Sequence, residues 1–257
     1  MTISMNLQEI IQEKPHLKET ILLYEKVLAF DSKVAAMTDT ITPDEVTYPP
    51  EIADAVLEHF SSIFGIPREH LIPFREALKM GQLDFTRLPF NEIPSFSFPY
   101  HEDDLGLILF LMSRPFFLRL GEMYHLRGSI WEEGKCPVCH AKPSMASIDS
   151  ENKRKLYCSF CGTKGYYTRR GCPLCSNEDI SNITLFTFEQ EKDFRIDACH
   201  RCRSYVKIIV DESIIEHRLT PDLADLVSLP LDVVAQGKGF QRHSPNPIGM
   251  TKIALKS

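Results

Sequence analysis

The eight cysteines of this 257-residue chain form four Cys-x-x-Cys pairs: Cys136-Pro-Val-Cys139, Cys158-Ser-Phe-Cys161, Cys172-Pro-Leu-Cys175 and Cys199-His-Arg-Cys202. Two thiolates two residues apart can grip one ion from a single backbone turn, and a tetrahedral ion of zinc or iron type takes four. Eight sulfurs without remainder predict two closed tetrathiolate centres. The first unit has 18 residues between its pairs, within the usual range for such a site. The second has 23, slightly more, which a longer hairpin from about Ile183 to Arg195 accounts for. Only 10 residues separate Cys161 from Cys172, a length suited to a linker between units. Pairing in sequence order is therefore preferred to an interleaved arrangement: Cys136, Cys139, Cys158 and Cys161, then Cys172, Cys175, Cys199 and Cys202.

Two other chemistries compete for these cysteines. A thioredoxin-like site places one Cys-x-x-Cys at a helix start after a strand, and four pairs within 67 residues leave no room for that fold. A disulfide scaffold needs an oxidising compartment. The opening Met1-Thr-Ile-Ser-Met-Asn-Leu-Gln-Glu has no basic stretch followed by an apolar core, so it does not read as a secretory signal. The run Leu105–Met112 is too short to span a bilayer. The expectation is a cytoplasmic protein with reduced thiols that ligate metal. Spacing accepts zinc or iron equally: zinc would be structural, whereas iron would add a one-electron couple tuned by hydrogen bonds to sulfur. His140 and His200 adjoin ligand cysteines, but with the sulfur count complete they read as exposed residues of the knuckles. No Ser/His/Asp set, phosphate loop or His-Glu-x-x-His pattern supports classical catalysis.

Charge is unevenly spread. Residues 1–134 carry 11 Lys/Arg against 21 Asp/Glu, residues 135–210 carry 13 against 8, and residues 211–257 carry 5 against 6. The basic middle could bind nucleic acid, with Tyr157, Phe160, Tyr166 and Tyr167 stacking near Arg169 and Arg170. Against that reading, the acidic N-terminal half would repel phosphate, and tetrathiolate centres would themselves absorb much of the positive charge.

The elements that must hold these residues read as follows. Leu22, Leu23, Val27 and Leu28 mark a helix from about Lys18 to Met37. Thr42-Pro43-Asp44-Glu45 allows only a short turn before Pro49 and Pro50. A firmer helix starts at Pro50 with Ile52, Val56, Phe60 and Ile63/Phe64 on one face, and Gly65 ends it. Another follows Pro67 and stops near Gly81. Phe85–Tyr100, with Pro89, Pro94 and Pro99 among Phe90, Phe96, Phe98 and Tyr100, is expected to be an extended loop packed on the helical core. Residues 103–127 form the most apolar helix, kinked or divided at Pro115. From Trp131, β-prone runs Lys155–Tyr157, Ile183–Phe188, Phe194–Ile196 and Tyr205–Val210 alternate with the cysteine pairs, and Cys-Pro-x-Cys opens a repeat at 136 and again at 172. A helix returns at Thr220-Pro221. The fold class is α+β, organised as an all-α domain (1–130), a first rubredoxin-like unit (131–167), a second (168–212) and a C-terminal helix and tail (213–257).

This arrangement resembles the formate dehydrogenase accessory protein family, FdhE. The resemblance rests on Cys136-Pro-Val-Cys139 with Pro143, Leu156-Tyr-Cys-Ser-Phe-Cys161, Arg170-Gly-Cys-Pro-Leu-Cys175 and Arg195-Ile-Asp-Ala-Cys-His-Arg-Cys202-Arg-Ser-Tyr-Val-Lys207. It continues through Asp222–Leu226, Leu229-Pro-Leu-Asp232 and Ser244-Pro-Asn246, covering about residues 130–250. It implies a non-enzymatic cytoplasmic factor required for active formate dehydrogenase. Such a factor binds the molybdenum-dependent catalytic subunit before export or membrane assembly. The resemblance also implies rubredoxin-type units that can hold iron at both sites, with zinc left open by the spacing. The charge distribution and the short apolar run lead to the expectation of no nucleic acid and no membrane insertion. A second copy of the chain is a further candidate partner. Where family members show Trp-x-x-Arg after the second pair, this chain has Lys164-Gly165-Tyr166-Tyr167 followed by Arg169, a departure that bears on packing around the first site.

Overall fold

The computed structural model describes residues 7–93, 98, 100–124, 130–189 and 191–253. Residues 1–6, Pro94, Phe96, Pro99 and residues 125–127, on which several of the expectations above fall, lie outside the described residues.

The N-terminal half is helical: α1 (Leu7–Glu13), α2 (Lys18–Ala35), α3 (Pro50–Phe64), α4 (Ile72–Lys79) and α5 (Glu102–Tyr124). In α3, Pro50 occupies the first helical position, where its missing N–H is no loss, and Gly65 closes the helix at φ +72°. The buried face of α2 differs from the expected stripe. Ile21, Tyr24, Val27, Phe30, Asp31 and Val34 face inward, and Leu22 and Leu28 are exposed. Of the expected residues Val27 is buried and Leu23 packs partly buried against the core, and the face is completed by Tyr24 and Asp31, whose polar atoms meet Asp222 and Arg114 and which a count of aliphatic residues omits.

Helix α5 is continuous through Pro115, not divided. Proline removes one backbone donor and crowds the preceding turn. Here the buried Tyr48 hydroxyl enters the gap, donating to Met112 O (2.8 Å) and accepting from Phe116 N–H (3.2 Å). The aromatic loop also departs from expectation, since Phe85–Phe90 forms a short 3₁₀ helix containing Pro89. Asp84 caps it by accepting from Thr86 N–H (2.9 Å), and the fixed φ of proline suits 3₁₀ geometry. Phe85 is buried against Tyr48 and Phe116, Phe98 stacks on Phe74, and the Tyr100 hydroxyl donates to His70 O.

The C-terminal half is built on one six-stranded sheet in the order β3-β2-β1-β6-β5-β4. The strands are β1 (Met145–Ile148), β2 (Arg154–Tyr157), β3 (Lys164–Tyr167), β4 (Ile183–Thr187), β5 (Phe194–Cys199) and β6 (Ser204–Ile209). Each set of three is an antiparallel meander, and β1 joins β6 in parallel through Met145↔Lys207, Ala146↔Ile208 and Ser147↔Ile209. Both central strands are buried along their whole length. Helices α6 (Ser213–His217), α7 (Pro221–Val227) and α8 (Leu229–Gly237) follow, and Thr220 caps α7 by accepting from Leu223 N–H (3.2 Å).

Two buried ionic clusters tie the layers together. Arg114 of α5 donates to Asp31 of α2 (2.8 Å) and to Asp222 of α7 (2.6 Å). In the second cluster, Lys207 of β6 and Arg242 of the C-terminal tail share Asp225 and Asp232, and Tyr205 donates to Asp232 (2.6 Å). Two cations face two carboxylates, so each buried group has an opposite partner within reach. Among the described residues, no helix is long and apolar enough to cross a membrane.

Candidate metal centres

The fold gathers the eight cysteines into two quartets, Cys136/Cys139/Cys158/Cys161 and Cys172/Cys175/Cys199/Cys202, with the sulfurs of each within 4.8 Å of one another. Grouping follows sequence order. All eight are free thiols, so no disulfide forms. Ligation by a tetrahedral ion at a metal–sulfur distance of about 2.3 Å places sulfurs about 3.8 Å apart. The second quartet shows Cys172–Cys202 at 3.8 Å and Cys175–Cys199 at 3.9 Å. The first is slightly tighter, with separations of 3.4, 3.4 and 3.7 Å. Both donor sets fit a tetrathiolate ion.

Each unit uses the same local construction: one knuckle before its first strand and a second between two antiparallel strands. The residue after the second cysteine of every knuckle has positive φ: His140 (59°), Gly162 (68°), Ser176 (55°) and Arg203 (56°). This left-handed step turns the chain back, and in the first knuckle of each unit the opening cysteine bonds to the carbonyl just beyond it. Cys136 N–H donates to Ala141 O (2.9 Å), and Cys172 N–H donates to Asn177 O (2.8 Å) in the matching place. Only one of the four left-handed positions is glycine, so glycine spacing could not have revealed the repeat.

Hydrogen bonds from Cys139, Cys158 and Cys161 pull the Cys136 thiol far down, whereas burial pushes Cys139 and Cys158 well up. In the second quartet burial raises Cys172 and Cys202. Burial also acts on Cys199, but the backbone N–H groups of Cys202 and Arg201 outweigh it and the thiol is lowered. Burial opposes four thiolates in one cluster, and a divalent ion at the centre would supply the charge that offsets it.

Neither histidine joins a quartet. His140 and His200 are exposed, and the His200 ring pairs with Thr184 (2.8 Å) and lies edge-on to Phe240. Of the aromatic set considered for stacking on bases, Tyr157 and Phe160 are buried, and Phe160 is wedged between Phe110 and Phe117. Lys164–Tyr167 forms β3, with Lys155 over the Tyr166 ring. Arg195 pairs with Asp197 (2.8 Å), and Arg169 donates to Asn152 (3.1 Å). Sequence reasoning missed Arg154, which is buried and spans the two units by donating to Gly171 O (2.9 Å) and Arg169 O (2.7 Å). An isolated arginine in a short strand carries no signal of burial.

Residues 171–248 match the family model described as FdhE, C-terminal domain. A "Protein FdhE homolog" of Aquifex aeolicus is 31% identical over 200 residues, covering 75% of this chain and 70% of that protein. A "Protein FdhE homolog" of Haemophilus ducreyi is 31% identical over 127 residues, or 48% of this chain and 40% of its own length. The fold is similar to the crystal structure of the FdhE protein from Pseudomonas aeruginosa, with a TM-score of 0.63 at 17% identity over 94% of this chain and 92% of the other.

Proposed function

Because this chain belongs to the FdhE family, we propose that it is a non-catalytic maturation factor for formate dehydrogenase. In this reading it works in the cytoplasm and binds the catalytic subunit of that enzyme while its own two tetrathiolate ions keep the C-terminal half folded. The observation that carries the reading is the pair of cysteine quartets held in one sheet. Among the described residues these are the two groups of three or more His, Cys, Asp and Glu side chains whose donor atoms converge tightly enough to hold a metal ion.

Iron is the ion we assign, with zinc the competitor. Iron would supply a one-electron couple, and zinc only cross-linking. Protein purified without oxygen is expected to contain two iron atoms per chain and to develop the visible absorption of a ferric tetrathiolate on oxidation. Two zinc atoms in a colourless sample would overturn the iron assignment and leave the fold argument intact.

The role itself is tested in a strain lacking the gene. Formate dehydrogenase activity should fall and be restored by the wild-type chain, and purified protein should co-elute with the catalytic subunit in gel filtration. Full activity without the gene, together with no co-elution, would overturn the proposal.

A further inference from the structure

The two quartets are alike in ligands and unlike in surroundings. In the first, all four cysteines are buried, from 0% exposure at Cys136 to 7% at Cys139. In the second, Cys172 and Cys199 are buried, but Cys175 and Cys202 reach solvent.

The cause is helix α5. Phe110, Arg114, Phe117 and Gly121 recur at the spacing of one helix face, and each meets the Cys158–Cys161 knuckle. Phe160 sits edge-on between Phe110 (5.1 Å) and Phe117 (5.2 Å), and Arg114 donates to Ser159 O (3.0 Å). Gly121 lies so close to Cys161 that a Cβ there would stand 2.1 Å from the Cys161 carbonyl oxygen. The guanidinium on Ser159 is itself fixed by Asp31 and Asp222. The knuckle is therefore clamped by a helix that two further helices hold in place.

Among the described residues, nothing from α5 makes a comparable contact with the second quartet. Its first knuckle rests on Gly134, whose added Cβ would strike Pro173 O at 1.9 Å. Its second is followed by the exposed Arg203, which lies over the Phe240 ring and reaches Gly239 O.

We propose that the quartets divide their roles by accessibility. The first is a locked strut joining the sheet to the helical half. The second is the exchangeable site, where an ion enters and leaves and where other molecules can meet the sulfurs. This rests on the metal-binding reading. Release from the first quartet requires α5 to part from the knuckle, a sub-global opening, whereas the second requires only movement of an exposed turn.

The test uses the full-length protein with two ions per chain, confirmed by elemental analysis before the experiment. A chelator in excess is added at neutral pH, samples are quenched with N-ethylmaleimide over time, and alkylated cysteines are located by peptide mass spectrometry. One ion should leave first, with labelling of Cys172, Cys175, Cys199 and Cys202, and the second at least about tenfold more slowly, as expected for a larger opening. Gly121→Ala should speed release from the first quartet without changing the second. If that variant misfolds, Phe160→Leu loosens the same clamp more gently and carries the same expectation. Loss of both ions in one phase, or earlier labelling of the first quartet, would overturn the proposal. Failure to hold two ions even after loading with zinc would instead remove the metal reading beneath it, an outcome read before any chelator is added.

Discussion

Left-handed residues close all four knuckles, and three of the four are not glycine. An L-residue in that conformation costs roughly 1–2 kcal/mol relative to a right-handed one. Gly162→Ala should therefore lower stability by about 1 kcal/mol, even though the added Cβ would meet only a Leu118 methyl at 3.4 Å. Ser176→Gly should be neutral or stabilising, and denaturant midpoints at fixed metal content compare the two. A second prediction concerns the buried charges. Burial pushes the Asp225 carboxyl up, but Arg242 and Lys207 outweigh it and leave it below the usual carboxylate range. A depressed native value means that its contribution is complete above the unfolded value of about 3.9 and fades as pH falls through the native one. The stability advantage of wild type over Asp225→Asn should thus be large at neutral pH and shrink below about pH 4, as followed by acid titration of unfolding. Removing one partner of such a cluster costs about 3–5 kcal/mol, so Lys207→Met should be among the most damaging single changes.

At the scale of elements, Tyr48 completes α5 at Pro115. Tyr48→Phe would leave Met112 O and Phe116 N–H buried without that hydroxyl, at a cost of about 1–3 kcal/mol in urea unfolding. The loss should differ measurably in a Pro115→Ala background, where the helix can close its own hydrogen bonds. The ease of reading elements from sequence varied for physical reasons. Strands β4, β5 and β6 are rich in Ile, Val, Phe and Tyr and were recognisable. The Met-Ala-Ser-Ile of β1 has one β-branched residue, and the two tyrosines of β3 follow Lys164 and Gly165, too short a run to stand out; β1 is also central and buried on both faces, so it shows no alternation. The cysteine quartets were legible because ligand count and spacing are local properties. Their unequal shielding was not, because it depends on a helix more than thirty residues upstream of the knuckle it covers. The burial of Asp31, Lys207 and Asp225 has no local signal, because their partners lie far away in sequence.

For the whole molecule, the shared sheet decides how damage spreads. Cys172→Ser with Cys175→Ser should reduce metal content from two ions to one. Because β6 pairs with β1 of the first unit, the loss should lower the stability of both units together. Trp131, the single tryptophan, is buried at the head of the first unit and bonds through its backbone N–H to Tyr166 O (2.8 Å). Its fluorescence should therefore shift at the same lowered denaturant concentration as the far-ultraviolet circular dichroism. A tryptophan transition left at the wild-type midpoint would show that the units unfold separately.

The parallel join also sets a timetable for synthesis. As the chain leaves the ribosome, β1 gains its antiparallel neighbour about ten residues later, but its other edge stays bare until β6 has emerged some sixty residues after it. An uncovered strand edge invites pairing with foreign chains. The nascent protein is thus most vulnerable to aggregation from completion of the first cysteine quartet until β6 emerges beyond Cys202, and a translational pause placed there would lengthen that exposure.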